Sequence, residues 1–314
     1  MKRTRSGSAS GEASETADLA RRRFLTKAGA AVAASGAAAA APAWGGSTLG
    51  DAFADFFQSH YQRMTRDEID AALERIERKA SRRYGVDLAS KNTPPIPGVV
   101  FGYAINISKC RGYRDCVHAC VRENNLSRDT QYIRVVELDE GSFDLRHGDH
   151  YYAGDGVPRE GKYYLPMQCM QCDNPPCTKA CPIEATWMEP DGIVVVDYDW
   201  CFGCRYCMAA CPYQARHFNW GMPELPPGEI NTDTHYLGNR PRPKGVVEKC
   251  HFCVQRTREG RQPACQEACP TGARIFGNLL DPDSEIRYVL ANKTVFRLKE
   301  DLGTEPKFWY FRDA

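Results

Sequence analysis

Residues 201–212 read Cys201-Phe-Gly-Cys204-Arg-Tyr-Cys207-Met-Ala-Ala-Cys211-Pro212. The spacing, C-x2-C-x2-C-x3-C-P, is that of cysteine runs that ligate 4Fe-4S clusters, with no residue out of register. Three thiolates spaced two residues apart let one tight loop hold three corners of a cubane. The fourth is carried away on a helix and serves the other cluster of a pair. Upstream, Cys169-x2-Cys172-x4-Cys177-x3-Cys181-Pro182 is the same device with Asn174 and Pro175 added to the loop. Downstream, Cys250-x2-Cys253-x11-Cys265-x3-Cys269-Pro270 carries a charged insertion from Gln255 to Ala264. The first group departs from the pattern. Cys110-Arg-Gly-Tyr113-Arg-Asp-Cys116-Val-His-Ala-Cys120 keeps the register, but Tyr113 stands at the second cysteine and Val121 at the closing proline. Four full groups would need sixteen ligands, and the chain has fifteen cysteines.

Two other uses of cysteine compete. Zinc sites also use C-x2-C pairs, but they rarely crowd three or four cysteines into one short run ending in proline. Disulfides suit an exported chain, yet fifteen is odd and the short spacings favour metal.

With 20 prolines, 26 glycines and a mean hydropathy of -0.52 in 314 residues, the chain has few apolar runs for a conventional core. Clusters are expected to supply part of it, so that iron loss unfolds the region. A net charge of +1 gives no indication of a nucleic-acid partner. Arg82-Arg83 and Arg240-x-Arg242-x-Lys244, the densest internal basic patches, read as solvated surface. Residues 1–43 read as a twin-arginine signal peptide: Arg21-Arg22-Arg23-Phe24-Leu25, an alanine-rich stretch from Ala28 to Ala41, and Ala41-Pro42-Ala43 as a cleavage site. That route accepts folded cargo, as a protein loaded with clusters in the cytoplasm and bound for the periplasm requires. An uncleaved alanine-rich helix is the alternative. No other segment approaches the ~20 apolar residues of a membrane span, so membrane attachment falls to a partner.

Residues 44–98 form an extension with one predicted helix. Thr65-x-x-Glu68 is a capping box, Ile69, Leu73, Ile76 and Ala80 share a face, and Gly85 supplies a stop. The helix docks either on its own chain or on a partner subunit. A proline-rich linker, 92–98, precedes a strand at 99–107, and further strands are predicted at 132–137, 163–165 and 193–197. The repeated unit is a short strand, a cysteine loop and a short helix begun after the third cysteine. Loops are expected at 189–191 and 222–242, then a helix at 281–290. The tail Phe308-Trp-Tyr-Phe311 either caps the core or packs on a partner.

The region from about Val99 to Phe311 resembles the four-cluster iron-sulfur electron-transfer subunits of membrane-bound molybdopterin oxidoreductases, the group of dimethyl sulfoxide, polysulfide and tetrathionate reductases. The resemblance is carried by Gln168-Cys-Met-Gln-Cys-Asp-Asn-Pro-Pro-Cys177, Asp191-Gly-Ile-Val-Val-Val-Asp197, Cys201 through Tyr213, Lys249-Cys-His-Phe-Cys253 and Ala268-Cys-Pro-Thr-Gly-Ala273. It implies an α+β fold of tandem bacterial-ferredoxin-like dicluster modules, with long loop insertions and few long helices. The second group pairs with the third in such subunits, and the first with the fourth. One cluster would take Cys169, Cys172, Cys177 and Cys211, and its partner Cys201, Cys204, Cys207 and Cys181. Of the other pair, one would take Cys250, Cys253, Cys265 and Cys120, leaving Cys110, Cys116 and Cys269 for the last. The cofactors expected are three 4Fe-4S clusters plus a fourth site at Tyr113. That site is either 3Fe-4S, or 4Fe-4S completed by Tyr113, Asp115 or water, or empty, and a buried tyrosine filling the corner fits the first and last of these.

No substrate-converting site is evident. His251, flanked by ligand positions, reads as a hydrogen-bonding neighbour. The resemblance implies a relay between an integral membrane quinone-interacting subunit and a molybdopterin catalytic subunit or multihaem cytochrome, with the first-group site facing the peripheral partner. A partly structural adaptor with three working clusters and a free soluble ferredoxin are the rival readings.

Overall fold

The computed structural model describes residues 64–313, so the predicted signal peptide and residues 44–63 of the extension lie outside the described residues. The first element is helix α1 (Arg66–Tyr84). The Glu68 N–H donates to Thr65 Oγ1 at 3.4 Å and the Thr65 N–H to Glu68 Oε2 at 2.8 Å, which closes the capping box. Gly85 ends the helix at φ 68, a conformation glycine adopts without strain. Ala72 and Ile76 pack into the main core, while Ala80 and Tyr84 meet Leu88, Leu225 and Ile230. The helix thus docks within its own chain and leaves its charged face to solvent.

After α1 come β1 (Ala89–Lys91) and β2 (Phe101–Asn106), which enters the first cysteine group; α2 (Asp115–Glu123) lies inside that group. Strand β3 (Arg134–Asp139) leaves it, and β4 (Lys162–Met167) enters the second, which holds α3 (Pro176–Lys179). The chain exits on β5 (Thr186–Met188), enters the third group from β6 (Val194–Val196), forms α4 (Tyr206–Ala209) and leaves on β7 (Arg216–Phe218). Beyond β8 (Asp233–His235), β9 (Val247–Lys249) leads to the fourth group with α5 (Val254–Thr257) and α6 (Ala264–Glu267). Then follow β10 (Arg274–Asn278), α7 (Glu285–Asn292), β11 (Val295–Phe296) and β12 (Phe308–Phe311).

The pairing of these strands is cyclic. The strand leaving each cysteine group pairs antiparallel with the strand entering the next: β3 with β4, β5 with β6, and β7 with β9. The last, β10, closes on the first, β2, with Arg274 opposite Ile105. The fold is therefore α+β, built of short elements that turn four loops toward one interior. The aromatic tail joins the closing sheet as β12, parallel to β2, and Phe308 stacks on Tyr103 at 5.1 Å. The tail caps the core as a strand.

Two expectations are corrected, and one version of the open first site is removed. The helices start one residue before the third cysteine, at Asp115, Pro176, Tyr206 and Ala264. Each loop is ended by the residue before the helix, which is either left-handed (Arg114, Arg205) or a proline (Pro175, Pro263), so the third cysteine falls inside the first turn. Arg240 and Arg242 are buried, not solvated. Arg240 pairs with Asp199 at 3.2 Å and Arg242 with Glu248 at 2.6 Å, and both lie over the Tyr198 ring. Asp199 and the Tyr198 ring come from elsewhere in the chain, and Glu248, six residues after Arg242, is a near partner that a count of basic residues passes over. Finally, Tyr113 is 43% exposed and does not fill a buried corner. No helix among the described residues is long and apolar enough to cross a membrane.

Candidate iron-sulfur centres

All four cysteine loops turn in the same way. The residue before the second ligand position is left-handed in each: Gly112 (φ 78), Gln171 (φ 45), Gly203 (φ 77) and Phe252 (φ 53). The first loop matches the third in its next turn as well, with Arg114 at φ 66, ψ 8 and Arg205 at φ 67, ψ 6. Both loops also need their glycine for space. A Cβ on Gly203 would lie 2.1 Å from the Gly245 carbonyl oxygen, and one on Gly112 would lie 2.5 Å from the Tyr164 ring. With tyrosine at position 113 the loop thus keeps the backbone of a complete one. The loss of the proline has acted locally: without it α2 runs nine residues, where α3, α4 and α6 run four.

None of the fifteen cysteines forms a disulfide. Cys181, Cys201, Cys204 and Cys207 line a cavity of about 330 Å³ together with Arg216. Cys120, Cys250, Cys253 and Cys265 line one of about 270 Å³ with Asn124, Gln168 and His251. Cys110, Cys116 and Cys269 line one of about 350 Å³ with Tyr113, Asp115 and Arg274. Cys169, Cys177 and Cys211 lie within reach of the charge on Cys172. The last cysteine of each group thus stands with another group: Cys181 with the third, Cys211 with the second, Cys120 with the fourth and Cys269 with the first. Among the described residues no three Cys, His, Asp or Glu side chains converge on a single-ion site. The thiols ring cavities instead, an arrangement that suits a polynuclear cluster better than a zinc ion with sulfur at ~2.3 Å.

The electrostatics of these cavities favour an anionic occupant. Burial pushes the Cys172 and Cys250 thiols up to about 12 and those of Cys110 and Cys207 to about 11, so the protein alone holds them neutral. Incoming iron must displace those protons. Burial acts on Cys269 too, but hydrogen bonds from the Thr271 side chain and from the Thr271 and Ala273 backbone outweigh it and lower that thiol. Arg216 Nη2 donates to Cys177 Sγ at 3.0 Å, while its Nε and Nη1 are buried without a partner. Arg274 Nη2 is likewise orphaned. His251 accepts the Val254 N–H on Nδ1 at 3.2 Å, which puts its proton on Nε2, a buried atom with no partner at the second cavity. Orphaned N–H donors cost free energy unless an acceptor arrives. A group rich in sulfide fits such sites.

A model of the 4Fe-4S dicluster domain matches residues 161–242 and 234–279. A selenate reductase subunit of Mesobacillus selenatarsenatis is 36% identical over 311 residues, covering 94% of this chain and 98% of that protein. The putative dimethyl sulfoxide reductase iron-sulfur subunit of Halobacterium salinarum is 43% identical over 210 residues, 67% of this chain and 78% of the relative. This protein belongs to the family of reductase iron-sulfur subunits. A polysulfide reductase subunit of Wolinella succinogenes, 36% identical over 67% of this chain and 92% of its own length, is another relative. As an iron-sulfur subunit the protein carries 4Fe-4S clusters and transfers electrons, and it is not the catalytic subunit of its complex.

Sequence reasoning missed the parts played by Arg216 and Arg274, which line cysteine cavities of this iron-sulfur subunit, and by Lys249, buried beside Cys250. A signal was present. Cys211-Pro-Tyr-Gln-Ala-Arg216 and Cys269-Pro-Thr-Gly-Ala-Arg274 repeat one pattern, with an arginine five residues after the last cysteine of the third and fourth groups.

Proposed function

We propose that this subunit is a periplasmic one-electron relay, exported folded by the twin-arginine route. In this reading it joins a quinone-interacting membrane subunit to a peripheral molybdopterin or multihaem partner. Cys169, Cys172, Cys177 and Cys211 hold one 4Fe-4S cluster, Cys181, Cys201, Cys204 and Cys207 a second, and Cys120, Cys250, Cys253 and Cys265 a third. Cys110, Cys116 and Cys269 hold a 3Fe-4S cluster, whose missing corner lies at Tyr113. Support for a filled fourth site comes from its cavity, which Cys110, Cys116 and Cys269 line as the Cys201 and Cys250 quartets line theirs, and from the exposed position of Tyr113. The protein's own part is to exclude water from the sulfurs, direct N–H groups at them and fix the spacing of the sites.

The observation that carries the direction of the wire is the contrast between its ends. Around the third group Phe202, Tyr206 and Trp220 are exposed, with Arg205 lying over the Trp220 ring at 5.3 Å. The cavity at the first group is lined by Arg111, Arg114 and Asp115, with Tyr113 the one exposed aromatic among them. An aromatic rim suits a membrane-embedded partner and a charged one suits a water-soluble partner. The test is membrane association of the assembled complex. Phe202→Glu with Tyr206→Glu is expected to release the subunit from membranes with its iron intact, whereas Arg111→Glu leaves it bound. Release by Arg111→Glu and not by the aromatic changes would reverse the orientation.

A further inference from the structure

Seven cationic side chains are buried in the described chain: Arg216, Arg240, Arg242, Lys249, Arg258, Arg274 and Lys307. Four have a carboxylate partner: Arg240 with Asp199, Arg242 with Glu248, Arg258 with Asp191, and Lys307 with Asp173. Arg216, Lys249 and Arg274 have none among the described residues. A buried cation without a counter-charge carries a desolvation cost of several kcal/mol. Arg216 and Lys249 aggravate it, since they face each other across the β7–β9 pair, where like charges repel.

The positions of the three are systematic. Arg216 lines the cavity of Cys181, Cys201, Cys204 and Cys207, and donates to Cys177 of the neighbouring quartet. Arg274 lines the cavity of Cys110, Cys116 and Cys269, and reaches Tyr103 Oη at 3.4 Å; that hydroxyl is itself 3.4 Å from Cys265 of the next quartet. Lys249 precedes Cys250 and donates to its carbonyl oxygen at 2.6 Å; burial lowers its pKa, and the nearby Cys169, Cys250 and Cys177 are the groups that favour its charge. The second and fourth groups adjoin there, with Gln168 Nε2 3.9 Å from Cys250 Sγ. The sites therefore run in file, from the three-thiol site through the Cys250 quartet and the Cys169 quartet to the Cys201 quartet. One unpaired cation stands in each of the three gaps.

We propose that Arg274, Lys249 and Arg216 are positioning residues, each of which raises the reduction potentials of the two clusters it separates and so keeps neighbouring sites close enough in potential to pass an electron either way. A cluster gains negative charge on reduction. A fixed cation shared by two clusters in a dry interior stabilises both reduced forms and needs no carboxylate, because the clusters are its counter-charge. The proposal rests on the ligand sets given above.

The test is an EPR-monitored redox titration of the full-length holoprotein in its complex, with iron counted first. Arg216→Gln is expected to lower the one-electron reduction equilibrium of the Cys169 and Cys201 clusters by about tenfold or more, about 59 mV for each tenfold, while the other two sites stay unmoved. Arg274→Gln should do the same to the three-thiol site and the Cys250 cluster, and Lys249→Gln to the Cys250 and Cys169 clusters. Arg216→Lys and Arg274→Lys, which keep the charge, should restore the potentials. Wild-type protein without clusters would refute the ligand sets. Full iron content with unmoved potentials, or with only one neighbour moved, would overturn the shared-cation proposal alone. If one variant loses iron the other two still decide, and loss of clusters in all three would assign these cations to cluster assembly instead.

Discussion

Tyr113→Cys restores the one thiol that the first loop lacks, and the structure sets its consequences closely. The loop already has the backbone of the complete third loop, with glycine and arginine in the same left-handed turns, so a cysteine there needs no rearrangement. Tyr113 is 43% exposed and packs in no core, so the substitution itself should change stability by no more than about 0.5 kcal/mol. The change falls on the metal. Wild-type protein is expected to carry about fifteen irons per chain, in three cubanes and one 3Fe-4S cluster, and the variant about sixteen. Iron and acid-labile sulfide determinations measure that difference, and EPR of the oxidised protein measures it independently. The 3Fe-4S signal should be present in the wild type and absent from Tyr113→Cys. About twelve irons and no oxidised-state signal in the wild type would mean that the site is empty. An unchanged signal in the variant would mean that the open corner lies elsewhere, and either result refutes the argument from loop geometry.

Glu248→Ala strands Arg242, which is fully buried and held by Glu248 at 2.6 Å and by the Asn124 carbonyl. A loss of about 3–5 kcal/mol is expected, seen as a lower unfolding temperature at fixed scan rate. His235 donates from Nε2 to the Thr93 carbonyl at 3.1 Å and accepts the Leu237 N–H on Nδ1 at 3.1 Å, so a second proton breaks a bond. Burial, helped by the charge on Arg258, lowers its pKa from 6.5 to about 4. The unfolded chain therefore takes up this proton first on acidification: the stabilisation is whole above pH 6.5, shrinks as pH falls and is lost near pH 4, up to about 3 kcal/mol. Hydrogen exchange in β1 should accelerate across that window, and less so in His235→Asn. Arg21→Lys with Arg22→Lys should hold the precursor in the cytoplasm with its clusters inserted, which cell fractionation and iron content together report; normal export would exclude the twin-arginine route.

Much of the site was legible because iron-sulfur ligation is a local matter of spacing. Three cysteines in one loop need only the reach of a few residues, and the capping box of α1 closes between residues three apart. The same locality explains the errors. Arg240 and Arg242 looked solvated because Asp199, Tyr198 and the α2 terminus arrive from other parts of the chain. Tyr113 looked like a plug because sequence gives the size of a side chain but not its direction.

By itself the sequence determined that four loops would each present thiols in a set register, with one thiol missing, because backbone spacing alone governs which sulfurs one loop can offer. Only the tertiary structure decided which groups meet. The strands pair in a ring, with β10 closing on β2, and Gln168 meets Cys250 between two groups that no strand pair joins; such long-range contacts leave no mark in local spacing. The β10–β2 and β7–β9 pairs also bury Arg274, Arg216 and Lys249 beside cysteines of more than one group, a placement that local spacing does not announce.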